Sequence, residues 1–155
     1  MSLTTSSDSR LAQITEWLPT IVTPVTLPAT LRPASADASF RRYFRVNGAD
    51  GASYIVMDAP PPQEDVRPFI AVAELFGATG VSVPQVLAQD AERGFLLLTD
   101  LGSTTYLQQL TADTAHKLYM DAIDTLVLLQ SQSEPGKLPE YDRALLLREL
   151  QLFPE

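Results

Sequence analysis

The chain has 155 residues, of which 45% are hydrophobic and 19% charged, with a net charge of -8. That is the composition of a globular domain with a sizeable core, not of a disordered chain. The acidic balance argues against a nucleic-acid backbone or an anionic membrane as the main partner, and the absence of cysteine with a single histidine, His116, excludes disulfides, thiolate metal sites and imidazole clusters.

Residues 1–9 are Ser/Thr-rich and read as a flexible lead-in. No apolar run approaches the length of a membrane span and the polar start is not a signal peptide, so a cytoplasmic protein is expected. Leu11, Ile14 and Leu18 fall at helical spacing within Arg10–Leu18, and Pro19 ends that helix. Val25–Arg32 is rich in Val, Thr and Leu and predicts a strand, which Pro24, Pro28 and Pro33 confine to a sheet edge. Phe40–Val46 and Tyr54–Asp58 are the next strands, joined by an Asn47-Gly48-Ala49-Asp50-Gly51 hairpin connection. After a proline-rich loop, Val66, Phe69, Ile70, Ala73 and Phe76 mark one apolar helix face, closed by Gly77 and Gly80. Gln85–Asp90 and Phe95–Leu98 are two further strands around a turn at residues 91–94. The order of helix, three strands, helix and two strands predicts an α+β fold with a mainly antiparallel five-stranded sheet.

Beyond Leu98 the pattern becomes helical. Residues 99–103 read as a polar hinge between a lobe at 1–98 and helices at 104–155. Ala115, Leu118, Tyr119, Ala122, Ile123, Leu126 and Leu129 form a long stripe, with Thr111 or Asp113 as its N-cap. A last helix over residues 142–153 is apolar around most of its circumference. It is expected to be covered by the remainder of a longer protein or by a partner.

The chemistry concentrates between Ala34 and Val46. The small and hydroxyl residues Ser35, Ala36, Asp37, Ala38 and Ser39 read as a loop whose backbone can approach a phosphate, and they lead into three of the nine arginines. Strand alternation groups Phe40, Arg42, Phe44 and Val46 on one face, and Arg41, Tyr43 and Arg45 on the other. Arg42 therefore interrupts an apolar face, where it needs a phosphate or a carboxylate such as Asp37, Asp58 or Glu64. Arg41 and Arg45 are expected on a solvated face. Asp58 reads as a solvated strand end or an arginine partner, and His116 as a surface residue.

In their order, SADASFRRYFRV, YIVMDAP, VRPFIAVAELFGATG, VSVPQVLAQD, GFLLLTDLG and TYLQQL resemble the small lobe of the aminoglycoside phosphotransferase and choline kinase family, which has a protein-kinase-like fold. The pattern is most similar to its cell-wall amino-sugar kinases, and it covers the chain from about residue 32 onward. The resemblance implies an ATP site in which Ser35 to Phe40 cover the phosphates, Phe44 and Ile55 line the adenine pocket and Leu98 guards its back. The Thr99 carbonyl and the Leu101 amide would bond the adenine edge. Met57 stands where the family's phosphate-binding lysine is expected, and the position of that lysine's glutamate partner falls near Ile70. The pair is thus lost as a unit, with Arg42 or Arg41 left to take the phosphate charge. Magnesium is expected with the ATP, its ligands and the catalytic loop lying outside these residues, so the 155 residues alone are expected to hold no catalytic residue and to show no turnover. The implied partners are a nucleotide and a sugar. A non-catalytic nucleotide-binding or adaptor module, and a kinase of aminoglycosides or choline, are the alternatives.

Overall fold

The computed structural model describes residues 8–36 and 39–152. Asp8 opens the first helix, α1 (Ser9–Trp17), by accepting the amides of Arg10 and Leu11 at 3.1 Å, as an N-cap carboxylate does. A single tight turn at Leu18–Thr20 follows, and the chain then enters the sheet. Its strands are β1 (Thr26–Ala36), β2 (Arg42–Gly48), β3 (Ser53–Asp58), β4 (Val86–Asp90) and β5 (Phe95–Thr99), all antiparallel in the order β1-β2-β3-β5-β4. Helix α2 (Arg67–Gly77) lies between β3 and β4. Helices α3 (Tyr106–Gln109), α4 (Ala115–Gln132) and α5 (Arg143–Leu150) come after β5. This is the α+β arrangement of a kinase-like small lobe followed by helices.

β1 is longer than its composition suggests. It runs through Pro28 and Pro33 to Ala36, and its pairing with β2 is interrupted between Leu27 and Arg32 and between Pro33 and Ser35. An edge strand needs partners on one side only, so irregularities at the prolines absorb their missing N–H groups. Ser35 and Ala36 are consequently strand residues opposite Tyr43 and Arg42, not loop residues. β2 starts at Arg42, and Phe40 lies outside it with 67% exposure. The hairpin to β3 closes through Gly51, whose φ of 83° suits glycine, while Asp50 accepts from the Ala52 amide and the Tyr54 hydroxyl.

The sheet is covered on both faces. Ile14, Trp17 and Leu18 pack on Phe44, Val46, Val56, Phe95 and Leu97, with the Trp17 and Phe95 rings 5.6 Å apart. On the other face Met57, Ala59, Val66, Leu96 and Leu98 form a second cluster, joined by Tyr43, Ile55, Phe69 and Ile70. Phe95 to Leu98 are all buried because β5 is a central strand with a core on each side.

The helical part departs from expectation at its caps. Thr114, rather than Thr111 or Asp113, is the N-cap of α4, and its hydroxyl donates to the Gln109 carbonyl at 2.6 Å instead of capping the helix. Thr111 supports the turn by accepting the Thr114 amide at 3.2 Å. Asp142 caps α5 through the Leu145 amide at 2.8 Å. That helix ends at Leu150, and Phe153 lies outside the described residues. Among the described residues no helix is long and apolar enough to cross a membrane.

Candidate functional site

The face carrying Met57 and Leu98 opens, beside the segment that leaves β5, into a cleft of about 500 Å³. Ser35, Tyr43, Arg45, Ile55 and Leu98 supply its sheet side, and residues 99–105 supply the opposite rim. Register explains this grouping: Arg45 lies across from Ile55, and Ile55 across from Leu98, so the three sit side by side on adjacent strands. Thr99 is tied to β4 on its outer edge, its amide donating to the Gln85 carbonyl at 3.0 Å and its hydroxyl accepting the Gln85 amide at 2.9 Å.

Asp100 fixes the rim to the sheet. Its carboxylate accepts Arg45 Nε at 2.5 Å and Arg45 Nη2 at 3.0 Å, the Ser53 hydroxyl at 2.6 Å and the Gly102 amide at 2.9 Å. Arg45 Nη2 also reaches the Gly102 carbonyl at 3.1 Å. Gly102 has a φ of 95°, which a side chain would disfavour, and this lets the chain turn back onto the carboxylate. The Arg45 hydrogen bond, opposed by burial and aided by Ser53 and Gly102, holds the Asp100 carboxyl well below the usual carboxylate range. Arg45 is therefore not on a solvated face: its side chain is 19% exposed and forms a wall of the cleft. The segment of residues 99–102 is thereby tied to β2 and β3, with Leu101 64% exposed at the rim.

Five of the residues singled out from sequence line this cleft, namely Ser35, Ile55, Leu98, Thr99 and Leu101. Phe44 does not. It pairs with Val56 and faces α1 within the first core cluster, because Tyr43 and Arg45, not Phe44, share the face of Ile55. Met57 has no exposure and packs with Val66 and Leu96, while Ile70 covers the same cluster. Ser39 accepts the Arg41 amide at 3.1 Å, Phe40 is exposed outside the cleft, and Asp37 and Ala38 lie outside the described residues. Ala36 pairs with Arg42 in the sheet.

Arg42 also faces away from the cleft. Its Nε and Nη2 donate to Asp58 Oδ2 at 3.0 and 2.5 Å, and it is ion-paired with Asp8, whose carboxyl it holds below the usual range. Asp58 has no exposure and its other oxygen accepts Arg10 Nε at 3.0 Å and Nη2 at 2.5 Å. Arg10 further donates to the Arg93 carbonyl at 2.6 Å and lies 4.5 Å from the Phe95 ring centroid. Of the two roles open to Arg42, the carboxylate pair is the one formed. Asp58 is a buried ion-pair centre and not a solvated strand end. Asp58 is one of the three carboxylates that the sequence offers Arg42, but α1 supplying Arg10 and Asp8 leaves no local signal.

Among the described residues no three His, Asp or Glu side chains are grouped to hold a metal ion. His116 is exposed on α4 and does not line the cleft.

The model of the phosphotransferase enzyme family matches residues 30–155. The N-acetylmuramate/N-acetylglucosamine kinase of Pseudomonas aeruginosa is 51% identical over 97% of this chain and 46% of its own length. Its namesake in Pseudomonas putida is 51% identical over 96% of the chain and 46% of its own length. That of Neisseria meningitidis is 47% identical over 94% and 44%. The chain spans about half the length of the curated relatives it matches.

Proposed function

Because the chain belongs to the phosphotransferase enzyme family, we propose that it is the nucleotide-binding part of an ATP-dependent kinase whose acceptor is an amino sugar. The observation that carries this reading is the cleft between the inner sheet face and the rim at residues 99–105. A slot with apolar walls and a fixed backbone edge suits a planar base, which needs one donor and one acceptor along its rim. In this proposal Ile55 and Leu98 contact the two sides of adenine, and the Thr99 carbonyl and Leu101 amide bond its edge. The segment from Ser35 to Phe40 approaches the phosphates. Residues 1–98 then act as the nucleotide lobe, 99–103 as its hinge, and the helices from 104 onward as the start of the second lobe.

The acceptor rests on the relatives, whose names specify N-acetylmuramate and N-acetylglucosamine. Transfer of the ATP γ-phosphate to a sugar hydroxyl is accordingly the reaction proposed for the protein that carries this chain. Most of the work in such a transfer is positioning and charge stabilisation, and the rim held by Asp100 serves the first of these.

The test is to incubate the protein, expressed from its complete reading frame, with ATP and each of N-acetylmuramate, N-acetylglucosamine, choline and an aminoglycoside. Phosphorus NMR should show a sugar phosphate with the first two only. Phosphocholine or a phosphorylated aminoglycoside in its place would redirect the acceptor, and no phosphoryl transfer to any of the four would overturn the proposal.

A further inference from the structure

The phosphate end of a nucleotide in this cleft needs a cation, and Met57, buried without exposure, does not supply one. Two arginines stand near this cleft: Arg45 lines it, and Arg41, just ahead of β2, lines the neighbouring groove against α2. Arg45 already gives Nε and Nη2 to Asp100 and Gly102. Arg41 is different. Its Nε donates to Glu64 Oε2 at 3.0 Å, and its side chain is 31% exposed against 13% for Glu64. Among the described residues its two terminal nitrogens donate to no carboxylate, and Tyr43 is the other side chain that interacts with the guanidinium.

The position of Arg41 is as informative as its bonding. It directly precedes β2, with its own amide on the Ser39 hydroxyl. It borders the groove formed by Pro68, Phe69 and Val83, and Phe69 lines the nucleotide cleft as well. Arg41 is four residues from Arg45, about 13 Å at the rise of an extended chain. Since Arg45 is at the level of Leu98 beside the hinge, Arg41 is at the opposite end, where the phosphates of a nucleotide extending from the hinge would lie. Glu64 is itself anchored, its amide donating to the Pro60 carbonyl at 3.1 Å just ahead of α2. A guanidinium oriented by a carboxylate at Nε keeps its planar fork in place, and a phosphate can compete with the neutral Tyr43 for the terminal N–H groups.

We propose that Arg41, oriented by Glu64, is the residue that binds the nucleotide phosphates in this protein. The Arg41–Glu64 pair then does from the start of β2 and the approach to α2 what a cation on β3 does not do here. This inference rests on the reading of the cleft as a nucleotide site, and its test separates the two.

Adenosine, ADP and a non-hydrolysable ATP analogue are titrated calorimetrically into the complete protein and into its Arg41→Gln and Glu64→Gln variants. Arg41→Gln is expected to weaken ADP and the analogue about tenfold to a hundredfold, as for a lost charged hydrogen bond, and to leave adenosine within about twofold. Glu64→Gln, which keeps the arginine but loosens its hold, should show the same selectivity at about threefold to tenfold. Adenosine binding by the variants also reports that they are folded. Equal losses for adenosine and ADP, or no loss for either, would make Arg41 a structural residue and overturn the proposal. A wild-type protein that binds none of the three would remove the nucleotide reading beneath it.

Discussion

Asp58 and Asp100 are the two carboxylates on which arginines converge, and they do different work on opposite faces of the sheet. Asp58 has no exposure and balances Arg10 and Arg42, so its removal leaves Arg10 without a carboxylate and Arg42 with Asp8 alone. Asp58→Ala should therefore cost about 3 kcal/mol, in the range for breaking a buried pair, measured as a loss in the urea midpoint. Asp100→Asn keeps the size of the side chain but weakens its four hydrogen bonds, at an expected cost of about 1–2 kcal/mol at pH 7. Its pH dependence has a definite sign. The folded Asp100 carboxyl lies below its unfolded value, so the stability it contributes is complete above the ordinary aspartate pKa of about 3.9 and is lost as pH falls towards the folded value. Urea midpoints of the wild type and Asp100→Asn should thus stay a constant distance apart from pH 7 to 5 and converge below about pH 4. A gap that held steady to pH 3 would show that Arg45 and Ser53 do not stabilise the carboxylate.

At the scale of elements, α1 is the brace of the sheet's outer face, inserting Ile14 and Trp17, with Leu18 of the following turn beside them, and pinning β3 through Arg10. Trp17→Ala should cost about 3–5 kcal/mol, as for large aromatic truncations in a core. Trp17 is the sole tryptophan and is 5% exposed, so fluorescence follows the brace directly. The native spectrum should be blue-shifted and should move to the red in one step with the circular dichroism of the sheet; an earlier fluorescence transition would mean that α1 detaches on its own. The existence of α1 was legible in its spacing, and so were β2, β3 and β5 in their apolar runs. Which face of β2 meets which helix was not legible, because alternation assigns residues to faces without naming what covers them. Phe44 is placed at the cleft by the family resemblance alone and packs against α1 instead, and Arg45 reads as solvated because its partner Asp100 lies 55 positions further along the chain. The end of β1 was misread for a local reason: Pro33 and Ser35 carry turn chemistry, which pairing with β2 overrides.

For the molecule as a whole, burial is distributed unevenly, and this sets an order of local stability. Every residue from Phe95 to Leu98 is buried, as are Val46, Val56 and Met57, whereas α3, α4 and α5 contain no buried residue. The stripe in α4 that the sequence displayed is real as a pattern, yet Tyr119, Ile123 and Leu126 are 61%, 47% and 53% exposed. Periodicity therefore reported the helix correctly but not the cover on its apolar side, since amphipathic spacing is the same whether a face is packed or open. Elements without buried apolar contacts open at low free energy, while a central strand opens only with the whole domain. Amide hydrogen exchange on the 155-residue chain should accordingly find β3 and β5 slowest, with exchange in α4 and α5 faster by about two orders of magnitude or more, equivalent to about 3 kcal/mol. Binding of ADP at the cleft should slow exchange most at the Leu101 and Gly102 amides and little in α5, because the first two border the cleft and α5 does not line it. Protection of α4 equal to that of β5 would mean that its apolar stripe is covered in solution, and uniform slowing by ADP would move the binding site away from the rim that Asp100 holds.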